Sequence, residues 1–313
     1  MSSLKLIPPA LVDDFRYCME IVHSREENFP VASLLAPPRL RPFLYAVYAF
    51  ARTADDFADL PGRDDDTRLQ LLDDWSRRLL QAEAGQADHP VFRALAHVIC
   101  TTDLPTEPLH NLLIAFHMDV TNKRYDTLDE LLDYCRYSAN PVGRIVLHLA
   151  GELPYEVGEQ ALRATGGQES GLSAEGRKAF CSDAICTALQ LTNHWQDLGQ
   201  DVWSSRPLYL PQEEMARFDV SEEMILKRRF SPTVGSLMLH LTAQTRALFL
   251  SGEPLRKQVA WPLNLELAAI CECGQAVLNK IEAQGGNTLR ARPRLSWWDR
   301  MVCFKNVLAR VAT

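Results

Sequence analysis

No uninterrupted apolar run in this chain approaches the roughly 18–20 residues that a membrane-spanning helix needs. The amino-terminal stretch MSSLKLIPPALVDDF lacks a basic start followed by an apolar core, so no secretory signal is expected. β-Branched alternation is rare and most segments carry helical spacing, which argues against a sheet protein and predicts an all-α fold. A basic excess is missing as well: the net charge of −7 leaves no nucleic-acid footprint. Repeats, low-complexity tracts and dividing linkers are absent from the 313 residues, so residues 1–313 read as a single domain. No G-x-S-x-G elbow, G-x-x-x-x-G-K-[ST] loop, H-E-x-x-H pair or G-x-G-x-x-G fingerprint occurs. The eight cysteines are scattered and mostly on apolar faces, as in a reduced cytoplasmic protein. Cys271 and Cys273 stand two apart, on different helix faces, which disfavours a metal knuckle.

What the chain does have is 47% hydrophobic residues, ample for a core, and two unusual acidic stretches. Gln190–Asp201 reads QLTNHWQDLGQD, with Asn193, Asp197 and Asp201 four apart. That spacing drifts only about 40° per step on a helix, so the three share one stripe. Like charges at i and i+4 cost an isolated helix a few tenths of a kcal/mol, a cost that a bound cation would remove. YAFARTADDFAD repeats the design with Asp55, Asp56 and Asp59 behind an apolar run, and Tyr48 and Arg52 on the same stripe. The pair is read as two carboxylate stripes facing one another across a cavity, with magnesium and a diphosphate between them. The other aspartate pairs, Asp64–Asp66 and Asp73-Asp74, read as solvated helix ends.

In chain order, a first helix falls within residues 1–24, ending near His23-Ser24, and a second over Arg41–Leu60, with Pro42 suited to its first turn. Helices are expected at Asp66–Ala84, Pro90–Thr101 and Glu107–Val120. His110 and His117 are seven apart without a third ligand, and read as packing or surface residues. Within Thr127–Gly151, Asn140-Pro141 and Gly143 predict a kink or break, with Tyr134, Tyr137 and Gly143 beside the space it opens. His148, in an apolar run, reads as a satisfied core histidine. Ser173 is placed to cap the helix that carries Asn193, Asp197 and Asp201. VWSSRPLYLP follows as a non-helical stretch holding Arg206 and Tyr209, and Arg206 suits a diphosphate because guanidinium matches phosphate oxygens in a bidentate fork. Short amphipathic pieces with solvated charges are expected at Glu213–Ala216 and Glu222–Arg228, then helices at Pro232–Ser251, Pro262–Gln284 and Ser296–Val311.

Five blocks in order, ENFPVASLLAP, YAVYAFARTADDFAD, YCRYSANPVG, LQLTNHWQDLGQD and SRPLYLP, resemble the squalene/phytoene synthase family of head-to-head prenyl transferases, over about Arg25–Lys280. The resemblance implies an all-α isoprenoid synthase bundle around a deep apolar cavity with the aspartates at its mouth. It implies magnesium, or manganese in its place, held by Asp55, Asp56, Asp59, Asn193, Asp197 and Asp201. Arg52, Arg206 and Tyr209 would meet the diphosphate, Tyr48, Tyr134 and Phe29 would shape the pocket and face a carbocation, and Gln190 and Gln196 are candidates to position water. In squalene and phytoene synthases the residue before the first Asp of the second motif is usually Arg; here it is Gln196. That departure resembles the branch of the family that ionises presqualene diphosphate, without NADPH, rather than the branches that condense two prenyl diphosphates. A condensing enzyme remains the alternative, and a non-catalytic scaffold relative is the reading from another class, although such relatives have lost aspartates retained here. The resemblance also implies partner enzymes, a presqualene diphosphate synthase before this step and a hydroxysqualene reductase after it.

The tail, residues 285–313, carries Arg290, Arg292, Arg294, Arg300, Lys305 and Arg310 against Asp299, a balance of +5 that leaves −12 for the remainder. With Trp297-Trp298 it is a candidate for peripheral docking on an anionic inner-membrane surface. Core packing is the competing expectation, held here for at least one of the two tryptophans.

Overall fold

The computed structural model describes residues 7–24, 37–121, 124–165, 169–202 and 207–311, without the side chains of 164 and 308–311. Its first helices are α1 (Val12–His23), α2 (Arg41–Ala58), α3 (Asp65–Glu83), α4 (Pro90–Thr102) and α5 (Glu107–Thr121). Next come α6 (Leu128–Ser138), α7 (Asn140–Ala150), α8 (Tyr155–Ala164) and the long α9 (Ala174–Asp201). The chain ends with α10 (Gln212–Arg217), α11 (Glu222–Leu226), α12 (Pro232–Gly252), α13 (Leu263–Ala283) and α14 (Trp297–Val311). Helical spacing therefore located most elements, and the caps follow local chemistry. Asp64 Oδ1 accepts from Thr67 N (2.9 Å) ahead of α3, and Ser173 Oγ accepts from Gly176 N (3.1 Å) ahead of α9.

Two elements escaped the sequence reading. In α8 the helical period is interrupted by Gly158, where an added Cβ would come within 2.9 Å of Leu153, so packing on α9 rather than propensity explains the helix. The other is a short parallel pairing of β1 (Arg124–Tyr125) with β2 (Leu208–Pro211), in which Arg124 faces Leu208 and, across a shift of register, Tyr125 faces Pro211. β2 is buried throughout, so it lacks the alternation that reveals a half-exposed strand.

The break expected near Asn140 is present. α6 stops at Ser138, Ala139 leaves helical geometry (φ −120°, ψ −47°), and Pro141 occupies the first turn of α7. Gly143 then lets α7 approach α9 closely, since a Cβ there would lie 2.5 Å from both Ser182 Oγ and Cys186 Sγ.

The buried apolar residues form three groups. One gathers around α1, α2, α3 and α4, a second around α9, α12, α13 and β2, and a third lies between α7, α9 and the start of α13. α5 packs on α2 as well as on α6 and α7, and α6 and α7 pack on α9, so the two acid-bearing helices are joined through intermediaries.

Several polar side chains behave as their sequence context suggested. His148 Nε2 meets the Thr102 carbonyl (2.8 Å), His110 meets Glu83 (2.8 Å) and His117 meets Asp73 (2.9 Å). Two expectations fail. Glu214 in α10 is buried beside His240 rather than solvated, because α10 lies against α12 there. Trp297 and Trp298 are 63% and 73% exposed, so neither is core: α14 buries Cys303 and Val307, and both tryptophans lie on the opposite side of that helix. No helix among the described residues is long and apolar enough to cross a membrane.

Arg144 ties α7 to two neighbours. Its Nε and Nη2 donate to the carboxylate of Asp183 on α9 (2.8 and 2.6 Å), and Nη1 donates to Glu159 on α8 (2.8 Å). The guanidinium is almost fully buried. Arg144→Ala leaves buried Asp183 without its ion-pair partner and Glu159 with Arg163 alone, and should cost about 3–5 kcal/mol, read as a lower urea midpoint. Glu159→Gln, which keeps the stronger Asp183 fork, should cost less.

Candidate active site

Both predicted acidic groups lie at the carboxyl ends of their helices. Unpaired carbonyls there carry partial negative charge, so a carboxylate is disfavoured by about 0.3–1 kcal/mol and a cation is favoured. Neither α2 nor α9 has a basic residue in its last turn. α2 is held from α3: Arg68 Nη1 donates to the carbonyl of Ala58 at the helix end (3.0 Å), and Trp75 Nε1 donates to that of Phe50 at its middle (3.2 Å). Arg52 spans the acids of its own helix, with Nη1 3.1 Å from Asp55 and Nη2 2.9 Å from Asp56. Asp59 is the C-cap residue, its N–H donating to the Asp55 carbonyl (3.0 Å). Tyr48, one turn before Arg52, is half-buried.

On α9, Gln190, Asn193, Asp197 and Asp201 are all half-buried. The Oδ1 of Asn193 is itself buried and has no hydrogen-bond partner among the described residues. Asp197 is forked by Arg292, whose Nε and Nη2 donate to its two oxygens, the latter at 3.0 Å. Gln196 is buried and turned to the backbone, its Nε2 donating to the Pro293 carbonyl.

Both contacts come from the strap of residues 284–296 that joins α13 to α14. Gly199 admits the strap: a Cβ there would sit 2.6 Å from the Thr288 carbonyl oxygen and 2.8 Å from that of Leu289. Arg228 Nε holds the same Leu289 carbonyl from the other side (2.7 Å). The basic tail predicted from sequence thus places one arginine on the second acidic stripe, a partnership 95 residues apart that no local spacing signals.

Beside α9 lies a buried aromatic cluster. His194 stacks on Tyr209 (centroids 3.7 Å apart, 17° between planes), and Tyr134 and Tyr125 pack around them. Tyr209 donates its hydroxyl to Asp119 (2.7 Å). Burial, and then the Asp119 carboxylate, push the Tyr134 phenol well above its ordinary range, so it stays protonated at neutral pH. Tyr134 and Tyr209, both singled out in the sequence, are brought into contact here, whereas Asp119 and His194 carried no distinguishing signal. Phe29 and Arg206 lie outside the described residues. A cavity of about 1280 Å³ is lined in part by Tyr137, Asn140 and Pro141 at the expected break and by Arg144 and Asp183, but by none of the candidate metal or diphosphate residues.

Among the described residues, no three His, Cys, Asp or Glu side chains are gathered as a metal centre. The donor set still suits magnesium, which takes one or two carboxylates, waters and substrate phosphates rather than a full protein cage. Carboxylate and amide oxygens are hard donors, and the unpartnered Asn193 Oδ1 beside Asp197 is the kind of atom such an ion satisfies.

The profile of the squalene/phytoene synthase family matches residues 22–299. A hydroxysqualene synthase of Rhodopseudomonas palustris is 34% identical over 83% of this chain and 81% of its own length. A phytoene synthase of Arthrospira platensis is 26% identical over 95% of this chain and 93% of its own. Among solved structures, a squalene synthase from Alicyclobacillus acidocaldarius superposes with a TM-score of 0.77 at 36% identity, covering 90% of this chain and 98% of that one.

Arg292 competes with any cation for Asp197. Arg292→Gln should therefore tighten magnesium binding in the absence of substrate by about fivefold, the equivalent of about 1 kcal/mol, in a calorimetric titration. Gly199→Val, which displaces the strap, should shift affinity in the same direction. Unchanged affinity in both variants would remove Asp197 from the metal site.

Proposed function

The chain belongs to the squalene/phytoene synthase family, and we propose that within it this protein is a hydroxysqualene synthase, converting presqualene diphosphate and water to hydroxysqualene and diphosphate. It is an isoprenoid synthase with the all-α fold of that family. The observation that carries the narrower reading is its similarity to hydroxysqualene synthase, 34% against 26% for a phytoene synthase, each over most of the chain. Gln196 supports the same reading, because its amide is committed to the Pro293 carbonyl and supplies no cation for a second diphosphate.

On this reading Asp55, Asp56, Asp59, Asn193, Asp197 and Asp201 hold magnesium, with manganese as its substitute. The ion, when bound, neutralises negative charge developing on the leaving diphosphate. Arg52 and Arg292, already beside the acids, are placed to turn a guanidinium toward that anion once the carboxylates are otherwise engaged. The substrate's carbon–oxygen bond breaks, and its electron pair leaves with the diphosphate. The cyclopropylcarbinyl cation rearranges with ring opening, and a water oxygen bonds to the resulting allylic cation and gives up a proton. Tyr134, kept neutral by its surroundings, offers π density to a cation without competing as a nucleophilic phenolate. Tyr48 is assigned to the wall of the pocket, and Gln190 to placing the water.

No electron pair is gained or lost from a reductant in this sequence, so NADPH is not required. The enzyme would act between a presqualene diphosphate synthase and a hydroxysqualene reductase. Eight unpaired cysteines support a reducing cytoplasmic compartment. Head-to-head condensation of two prenyl diphosphates is the second reading, favoured by the phytoene synthase match over 95% of the chain.

Purified protein with magnesium should convert presqualene diphosphate, without NADPH, to an alcohol whose oxygen comes from isotopically labelled water. Farnesyl diphosphate alone should give no product; its turnover would establish condensation instead. Asp55→Asn and Asp197→Asn should each lower kcat by roughly a hundredfold or more.

A further inference from the structure

Among the described residues, α14 is attached to the body along one side. Cys303 and Val307 are buried, Asn306 Nδ2 donates to Glu272 on α13 (3.1 Å), and Asp299 pairs with Lys280 (2.9 Å). Opposite that seam the helix presents Trp297 (63% exposed), Trp298 (73%), Met301 (45%), Val302 (56%) and Phe304 (54%). Their spacing collects them on one face, and the two indole rings meet edge to face with centroids 4.7 Å apart. Five large apolar side chains exposed together on one helix mark an interaction surface rather than the scattered exposure of an ordinary one.

The charges around this face choose its partner. Arg290, Arg294, Arg300 and Lys305 are exposed and form no ion pair with a described residue. Lys305 lies within the apolar face, where its stem can reach outward past the rings. The one acid of the segment, Asp299, is already engaged by Lys280 and by Ser296. A chain of net charge −7 has thus concentrated positive charge, unpaired among the described residues, around this exposed tryptophan pair.

We propose that α14 is a peripheral anchor that lays Trp297, Trp298, Met301, Val302 and Phe304 into the interface of an anionic lipid bilayer, with Arg294, Arg300 and Lys305 on the lipid phosphates. Aromatic side chains rimmed by basic ones on a helix with one free face have the composition of an interfacial helix. Each basic residue near an anionic surface adds to the attraction. The surface stands independently of the hydroxysqualene reading, although a water-insoluble C₃₀ product would leave conveniently into the same bilayer.

The test uses the full-length protein without substrate, so its outcome does not depend on which reaction is catalysed. The protein should co-sediment with phosphatidylcholine vesicles containing about 30% phosphatidylglycerol, and bind pure phosphatidylcholine at least about tenfold more weakly. Trp297→Ser with Trp298→Ser should weaken binding about tenfold or more while leaving thermal unfolding unchanged. Arg294→Gln, Arg300→Gln and Lys305→Gln together should abolish the preference for anionic lipid. Failure to bind either vesicle, or equal binding by the tryptophan variant, overturns the proposal. Dimerisation in lipid-free buffer that the tryptophan substitutions abolish would overturn it too, because the face would then join two copies of the chain.

Discussion

Carboxylates at the carboxyl end of a helix are held where the backbone already carries negative charge, and this chain does so twice. Asp55, Asp56 and Asp59 end α2, while Asp197 and Asp201 end α9. Each arrangement works against the helix dipole, and neither helix relieves it with a basic residue in its last turn. The relief comes from guanidinium groups. On α2 it is local, because Arg52 sits three and four residues before its partners. On α9 it is remote, because Arg292 arrives on the strap between α13 and α14.

This difference explains how the two ends are built. α2 brings its own counter-charge, so its surroundings need only hold the helix, which Arg68 does at the terminal Ala58 carbonyl and Trp75 at that of Phe50. α9 must be fitted to a second chain segment. Gly199 removes the side chain that would obstruct it, Gln196 pins the strap at Pro293, and Arg228 holds it at Leu289. Farther back, the break at Ala139 and the missing side chain of Gly143 bring α7 close against α9. Both helices therefore present their acids from rigid packing, and the strap is what ties α9's charge to the rest of the fold.

Features set by short-range spacing were legible in the chain. The i, i+4 stripe on α9, the place of Arg52 on the α2 stripe, the Ser173 cap and the break at Asn140-Pro141 all follow from residues within a turn or two of one another. Features set by burial or by distant contact were not. α8 is a helix because α9 packs on it, and Gly158 hides its period. Asp119 enters the tyrosine cluster only once β2 brings Tyr209 beside α6. The tryptophans of α14 invited a core assignment because large aromatics usually bury area, yet only one side of that helix meets the protein.

Exchanging arginine for glutamine before Asp197 changes more than one charge. A cation borne by the helix itself stays beside the acidic stripe under all conditions. A cation borne by the strap stays only while residues 284–296 remain docked on Gly199. Since adjacent strap residues Arg292 and Pro293 are held by adjacent α9 residues Asp197 and Gln196, losing one contact weakens the other. Electrostatic balance at the second acidic group is therefore coupled to strap packing, and the strap continues directly into α14 and its exposed tryptophans. A force on that helix has a short covalent route, five residues from Arg292 to Trp297, to the carboxylate that the proposed chemistry requires.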